Sequence, residues 1–150
     1  IDPRTKSLNY LPNVLMRLEA IQHGADEAIS FDYDGYVTEG GAENIFIIKD
    51  GFFKTPARGI LEGITRETVM EIVRAEGHEV QETNLTKYDL YNADEVFLCS
   101  TAGGIFPVTE IDGRKIGDGC VGPQTKRVTQ KYEKILTEGK HGTPVYKESK

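Results

Sequence analysis

Four groups of residues in this chain have types and spacing suited to chemistry. Lys6, in Lys6-Ser-Leu-Asn-Tyr10, offers a primary amine four residues ahead of a phenol. Glu39 and Glu43 lie in Gly35-Tyr-Val-Thr-Glu-Gly-Gly-Ala-Glu-Asn-Ile-Phe-Ile-Ile-Lys-Asp50, with Gly40 and Gly41 between them and an apolar run just behind. Glutamate is seldom fully buried without a partner, and adjacent glycines let a backbone bend sharply or approach a ligand closely. Gly63, Ile64 and Thr65 open a helical pattern, and a helix N-terminus after glycine presents free N–H groups to an anion. Ser100, Thr101 and Ala102, followed by Gly103 and Gly104, end a strand-like run with hydroxyl and N–H groups that can turn onto a phosphate or carboxylate. An amine that condenses with an aldehyde, a carboxylate that keeps a heteroaromatic nitrogen protonated and two anion-binding corners would together form one reaction centre. Singly, each has an ordinary alternative: a surface lysine, an acidic hairpin tip in solvent, the N-terminus that every helix has, a strand-to-loop exit.

The elements that must position these groups follow from periodicity and punctuation. Residues 1–8, with Pro3, read as an extended lead-in to Lys6. Leu11, Val14, Leu15, Leu18 and Ile21 fall at helical spacing up to Gly24, which predicts an amphipathic helix. Residues 27–33 read as a strand that turns at Asp34-Gly35 and pairs with the strand leading to Glu39. Ile45, Phe46, Ile47 and Ile48 form a second strand, ended by Asp50-Gly51, and residues 52–55 continue the meander until Pro56 interrupts it. A helix capped by Thr65 runs to Gly77. A short strand over 78–83, a short capped helix within 84–94 and a buried strand over 95–100 follow. Residues 105–111 read as a strand, Asp112-Gly113 as a turn and 114–116 as its partner. A last amphipathic helix starts near Pro123 and stops at Gly139, with a loose polar tail over 140–150.

With 150 residues, the chain suits one domain with a sizeable core. A net charge of −6, with acidic and basic residues interspersed, argues against nucleic acid as a partner. No apolar run approaches the roughly 20 residues that span a bilayer, so the chain reads as soluble and cytoplasmic, with no membrane partner. Cys99 and Cys120 lack metal-ligand spacing and read as free thiols; His23, His78 and His141 are scattered and read as surface or structural, and no metal is expected.

The roles of amine, carboxylate and phosphate corners are those required by pyridoxal 5'-phosphate. The residues that carry them also resemble a known family. Lys6-Ser-Leu-Asn-Tyr10, Glu19-Ala20, Gly35-Tyr-Val-Thr-Glu-Gly40, Asn44-Ile-Phe46, Leu61-Glu-Gly-Ile-Thr-Arg66, Asp94-Glu-Val-Phe97, Ser100-Thr-Ala102, Pro107-Val108, Asp112-Gly-Arg114 and Gly122-Pro123 are together similar to the class IV, fold type IV pyridoxal-phosphate aminotransferases. That family includes branched-chain and D-amino-acid aminotransferases and aminodeoxychorismate lyase.

The resemblance implies an α/β (α+β) fold with a mixed, barrel-like sheet and flanking helices, and a homodimer. It makes Lys6 the lysine that holds the cofactor as a Schiff base and shuttles the proton. Tyr10 would hydrogen-bond the cofactor's phenolic oxygen and Glu39 would meet its pyridine nitrogen. Leu61, Ile64 and Thr65 would lie along ring and phosphate, Thr101 would bind the phosphate with Ser100 beside it, and the backbone of Thr101 and Ala102 would face the substrate carboxylate. The implied reaction moves an amino group from an amino acid, branched-chain-like or D, to a 2-oxo acid: exchange of Lys6 for the substrate amine, a 1,3-proton shift by the freed lysine, hydrolysis to the keto acid. An aminodeoxychorismate-lyase-like elimination and a catalytically silent cofactor-binding module are the alternatives. Gly103-Gly104 departs from the Ala-Glu common in branched-chain members, which leaves side-chain and stereochemical preference open. Residues 1–139 are expected to be the larger, cofactor-binding domain. The family's smaller N-terminal domain, which supplies an arginine to the phosphate, is expected to be missing from a chain that opens on Ile-Asp-Pro, with slow turnover or none as the result.

Overall fold

The computed structural model describes residues 2–139 and 142–143. The apolar run predicted as a strand is β3 (Asn44–Lys49), central in a five-stranded sheet of order β5-β4-β3-β6-β7. Its neighbours are β4 (Phe52–Pro56) and β6 (Glu95–Ser100), with β5 (Val80–Thr83) and β7 (Gly104–Val108) at the edges. All ladders are antiparallel except β4 with β5, which are parallel and joined by α2 (Ile64–Ala75), the crossover that parallel pairing requires.

A strand sends alternate side chains to opposite faces, and here both faces are covered. Phe46 and Ile48 of β3 join Phe97 and Cys99 of β6 under α2 and α4 (Pro123–Glu138), with Val69, Val73, Val128 and Tyr132. Phe46 stands opposite Phe97, and their rings stack at 5.1 Å and 11°. Ile45, Ile47, Val96 and Leu98 pack on the other face against Val37, Leu85, Leu90 and Ile116. Burial on both sides is why these strands are continuous apolar runs instead of alternating ones.

The remaining elements are α1 (Leu11–Gln22), the ribbon β1 (Ile29–Phe31) with β2 (Val37–Gly40), α3 (Lys87–Tyr91) with a Thr86 capping box, and the hairpin β8 (Glu110–Ile111) with β9 (Arg114–Lys115). The expected mixed sheet with flanking helices is therefore present, its strands divided between the five-stranded sheet and two ribbons.

Several local expectations are corrected. The lead-in is not extended: Pro3–Thr5 forms a 3-10 turn because Pro3 is pre-set for a first turn and Asp2 Oδ1 accepts from Arg4 N–H at 3.0 Å. Thr65 does not cap α2; Gly63 does, with extended backbone, and Thr65 is the second helical residue. The strand expected over 105–111 is two, β7 and β8. Pro107, without an N–H, is accommodated because β7 is an edge strand. The 27–33 strand shortens to β1 because Asp32 Oδ1 turns the chain, accepting from Asp34 and Tyr36 N–H groups at 3.0 and 2.9 Å.

The helix predicted from Leu11 forms, yet its apolar stripe is not covered. Leu11, Val14, Leu15, Leu18 and Ile21 are each about half exposed or more (49–65%), and Ala20 is the one buried residue of α1. Cys99 is buried, Cys120 exposed, and both are free. His23 is exposed and His78 packs on Phe53 at 5.9 Å. His141, and the expected tail apart from Gly142 and Thr143, lie outside the described residues. No helix among the described residues is long and apolar enough to cross a membrane.

Candidate active site

Two cavities, of about 230 and 290 Å³, meet along Lys6, Tyr10, Ala42, Glu43, Asn44 and Leu61. The first extends to Glu39 and Asn13, the second to Gly63, Thr65, Cys99, Ser100, Thr101 and Ala102. The predicted carboxylate and the predicted hydroxyls thus line different cavities, and the predicted amine lines both. Of the nine residues expected at the site, only Ile64 lines neither cavity; it is 81% exposed, and it contributes the first backbone N–H of α2.

Lys6 follows the 3-10 turn in a left-handed conformation, φ 46°, and Leu8 repeats it at φ 63°. This double bend brings the amine back over the start of α1, where Nζ donates to Tyr10 Oη at 3.4 Å. The segment is tied to the β2–β3 corner by Asn13, whose Nδ2 donates to Gly41 O at 2.7 Å, and to Glu27 by Arg17 at 3.3 Å.

Glu39, third residue of β2, is half-buried and its Oε2 accepts from Leu61 N–H at 2.9 Å. Burial lifts its pKa above the ordinary value; the Leu61 N–H and the Lys6 charge oppose that rise and Glu43 adds to it. Glu43 is also lifted, by burial first, with Ala42 N–H and Arg17 opposing and Glu27 adding. Leu61 is held from its other side too: Asn44 Nδ2 donates to Leu61 O at 2.8 Å. Asn44 is buried, and a Cβ on Gly63 would collide with its Oδ1, so this corner admits only glycine.

Past that corner α2 begins with no side chain capping Gly63. Thr65 Oγ1 lies 3.5 Å from Thr101 Oγ1 and 3.4 Å from Tyr132 Oη. Ser100 Oγ accepts from Gly103 N–H at 3.3 Å and so shapes the corner after β6. Thr101 and Ala102 are exposed at the cavity. Cys99 lines the same cavity, but burial pushes its thiol up to about 12, which leaves it protonated and inert.

Asn44, Asn13 and Tyr132 were given no role by sequence reasoning. Asn44 had a signal, a polar residue opening an apolar run; Tyr132 sits 67 residues from Thr65 and had none. Chemically, the arrangement offers a primary amine near a phenol, an anchored carboxylate at one end and a hydroxyl and N–H cradle at the other.

Known proteins share this chain and its fold. The chain is 48% identical over 150 residues to a putative branched-chain-amino-acid aminotransferase of Methanocaldococcus jannaschii, across 99% of this chain and 51% of that protein. It is 43% identical over 131 residues to the branched-chain-amino-acid aminotransferase of Escherichia coli, across 86% of this chain and 42% of the other. The chain therefore spans about half the length of the curated relatives it matches. Among solved structures, the branched-chain amino acid aminotransferase of Thermobaculum terrenum in PLP-form superimposes with TM-score 0.89 at 36% identity, over 92% of this chain and 46% of that one. The branched-chain aminotransferase of Thermoproteus uzoniensis with norvaline gives 0.85 at 42% identity, over 91% and 48%. The model of the family described as amino-transferase class IV matches residues 1–111, and the chain belongs to that family.

Proposed function

We propose that this chain binds pyridoxal 5'-phosphate through Lys6 and serves amino-group transfer from a branched-chain amino acid to a 2-oxo acid. The observation that supports this reading is that Glu39 lines one of two adjoining cavities and the Thr65–Thr101 cradle the other, with Lys6 lining both. A cofactor with a ring nitrogen at one end, a phosphate at the other and an aldehyde between has the same order of groups, so the donor set fits.

When bound, the cofactor supplies an aldehyde that condenses with amines and a ring that takes up the electron pair released when a Cα–H bond breaks. Lys6 Nζ would be the attachment point and, once free, the base that holds the Cα proton. Tyr10 Oη, 3.4 Å from Nζ, would hydrogen-bond the cofactor's phenolic oxygen. Glu39 uses Oε2 to hold Leu61 N–H, which leaves Oε1 for the ring N–H, and its negative charge favours the protonated ring. The N–H groups of Ile64 and Thr65, with the Thr65 and Thr101 hydroxyls, would bind the phosphate. Leu61 would lie along the ring, Ser100 shapes the Thr101 corner by accepting from Gly103 N–H, and backbone at Thr101 and Ala102 would face the substrate carboxylate.

The relatives named above are branched-chain aminotransferases, which favours that substrate class over D-amino acids and over the lyase reaction. The same reading takes the protein as a cytoplasmic homodimer, with the apolar stripe of α1 against a second copy and no nucleic-acid or membrane partner.

The test is single-turnover. The cofactor-loaded chain is mixed with leucine, isoleucine or valine, and absorbance follows conversion of bound pyridoxal 5'-phosphate to pyridoxamine 5'-phosphate. Conversion by these three ahead of their D-enantiomers is expected. Bound cofactor converted by the D-enantiomers ahead of these three would overturn the assignment.

A further inference from the structure

Three hydroxyls from three separate elements converge at the second cavity, two in its lining and one behind it. Thr65 Oγ1, in the first turn of α2, is 3.5 Å from Thr101 Oγ1 at the β6–β7 corner and 3.4 Å from Tyr132 Oη of α4. Thr65 is 4% exposed and Tyr132 7%, and Tyr132 lines neither cavity. Its ring passes Gly104, where a Cβ would stand 3.6 Å from Cε1, so α4 braces the loop that carries Thr101.

A hydroxyl has one proton to give and two lone pairs to fill. An ionised phosphate accepts hydrogen bonds and offers little in return. Thr65 can donate outward while its own oxygen accepts from behind, and the Tyr132 phenol stands there at 3.4 Å. Donation into one hydroxyl strengthens that hydroxyl as a donor in turn. We propose that Tyr132 is a positioning residue: by donating its Oη–H to Thr65 Oγ1, it directs the Thr65 proton outward, to the phosphate of the cofactor. The inference rests on the cofactor reading above. It adds to the site a residue from α4 that acts only through Thr65.

The test compares two ligands that differ only in the phosphate. The chain, wild type and Tyr132→Phe, is titrated with pyridoxal 5'-phosphate and with pyridoxal, reading the absorbance of the lysine-bound chromophore. The hemiacetal formed by free pyridoxal affects both proteins alike, so the change in the ratio of affinities isolates the phosphate corner. In Tyr132→Phe the ratio is expected to fall about two- to tenfold, the worth of one hydrogen bond, with pyridoxal affinity unchanged. In a Thr65→Val background, Tyr132→Phe is expected to leave the ratio where it is. A purely packing role for Tyr132 would lower both affinities together and keep the ratio constant, and that result overturns the proposal. So does an equal effect of Tyr132→Phe with and without the Thr65 hydroxyl. A wild-type chain with no preference for the phosphorylated ligand would overturn the cofactor reading itself, and this inference with it.

Discussion

Glu39 Oε2 accepts the Leu61 N–H at 2.9 Å, and Leu61 O accepts from Asn44. One residue therefore fixes the distance between the proposed ring acid on β2 and the start of α2, where the phosphate would sit. Glu39→Gln keeps the volume and an oxygen for Leu61 but loses the charge. The single-turnover amino-transfer rate is expected to fall about ten- to a thousandfold, matching the one to three pKa units that an opposite charge at contact distance supplies. Equal rates for the two proteins would remove Glu39 from this role.

The same residue sets a pH dependence in the cofactor-free protein. Burial holds the folded-state pKa of Glu39 above its ordinary value. The ionised form is thus the disfavoured one. Stability contributed by the protonated acid is fully present below the unfolded pKa and is lost as pH rises through the higher folded pKa. Without cofactor, Glu39→Gln is expected to melt above wild type at pH 7, the gap closing below about pH 4. Thermal scans across that range check it, and a wild type that gains on the variant as pH rises would contradict the sign.

At the Asn44–Gly63 corner the expected failure is steric. Gly63→Ala places a methyl group against Asn44 Oδ1 and is expected to cost about 1–3 kcal/mol, the usual range for overpacking, together with cofactor affinity. Shortening Asn44 relieves the collision, so Asn44→Ala/Gly63→Ala should melt no lower than Asn44→Ala alone. Additive losses in denaturant melts would show that Gly63 is constrained by something else.

The uncovered stripe on α1 makes a separate prediction about assembly. Leu15 and Leu18 are 56% and 49% exposed. Changing both to Glu should abolish self-association while shifting stability by no more than about 0.5 kcal/mol per site, as for other surface changes. Light scattering on wild type and variant at matched concentration decides: a wild-type chain that is monomeric throughout contradicts the proposed pairing.

Much of the fold was legible because β3 and β6 are buried on both faces and so appear as unbroken apolar runs. Helix α1 was legible as a helix for the same kind of reason. Its exposure was not, because periodicity marks which face is apolar and says nothing of what covers it. The Thr65 expectation failed where a general preference for hydroxyl caps met a particular use of that hydroxyl, toward Thr101 and Tyr132, with Gly63 supplying the extended cap. The lead-in was misread because a proline fits both extended chain and a first turn, and Asp2 decides between them. Lys6, Glu39 and Thr101 came to notice through motif and role. Asn44 and Tyr132 depend on contacts 17 and 67 residues away in sequence, which only the packed structure brings together.

The central claim is that Lys6 carries the cofactor. The chain is incubated with pyridoxal 5'-phosphate, reduced with borohydride to lock any Schiff base, digested and mapped by mass spectrometry. The account predicts one dominant modified peptide, labelled at Lys6, and its loss in Lys6→Ala. Label spread over several lysines, with Lys6 no more modified than the rest, would contradict it.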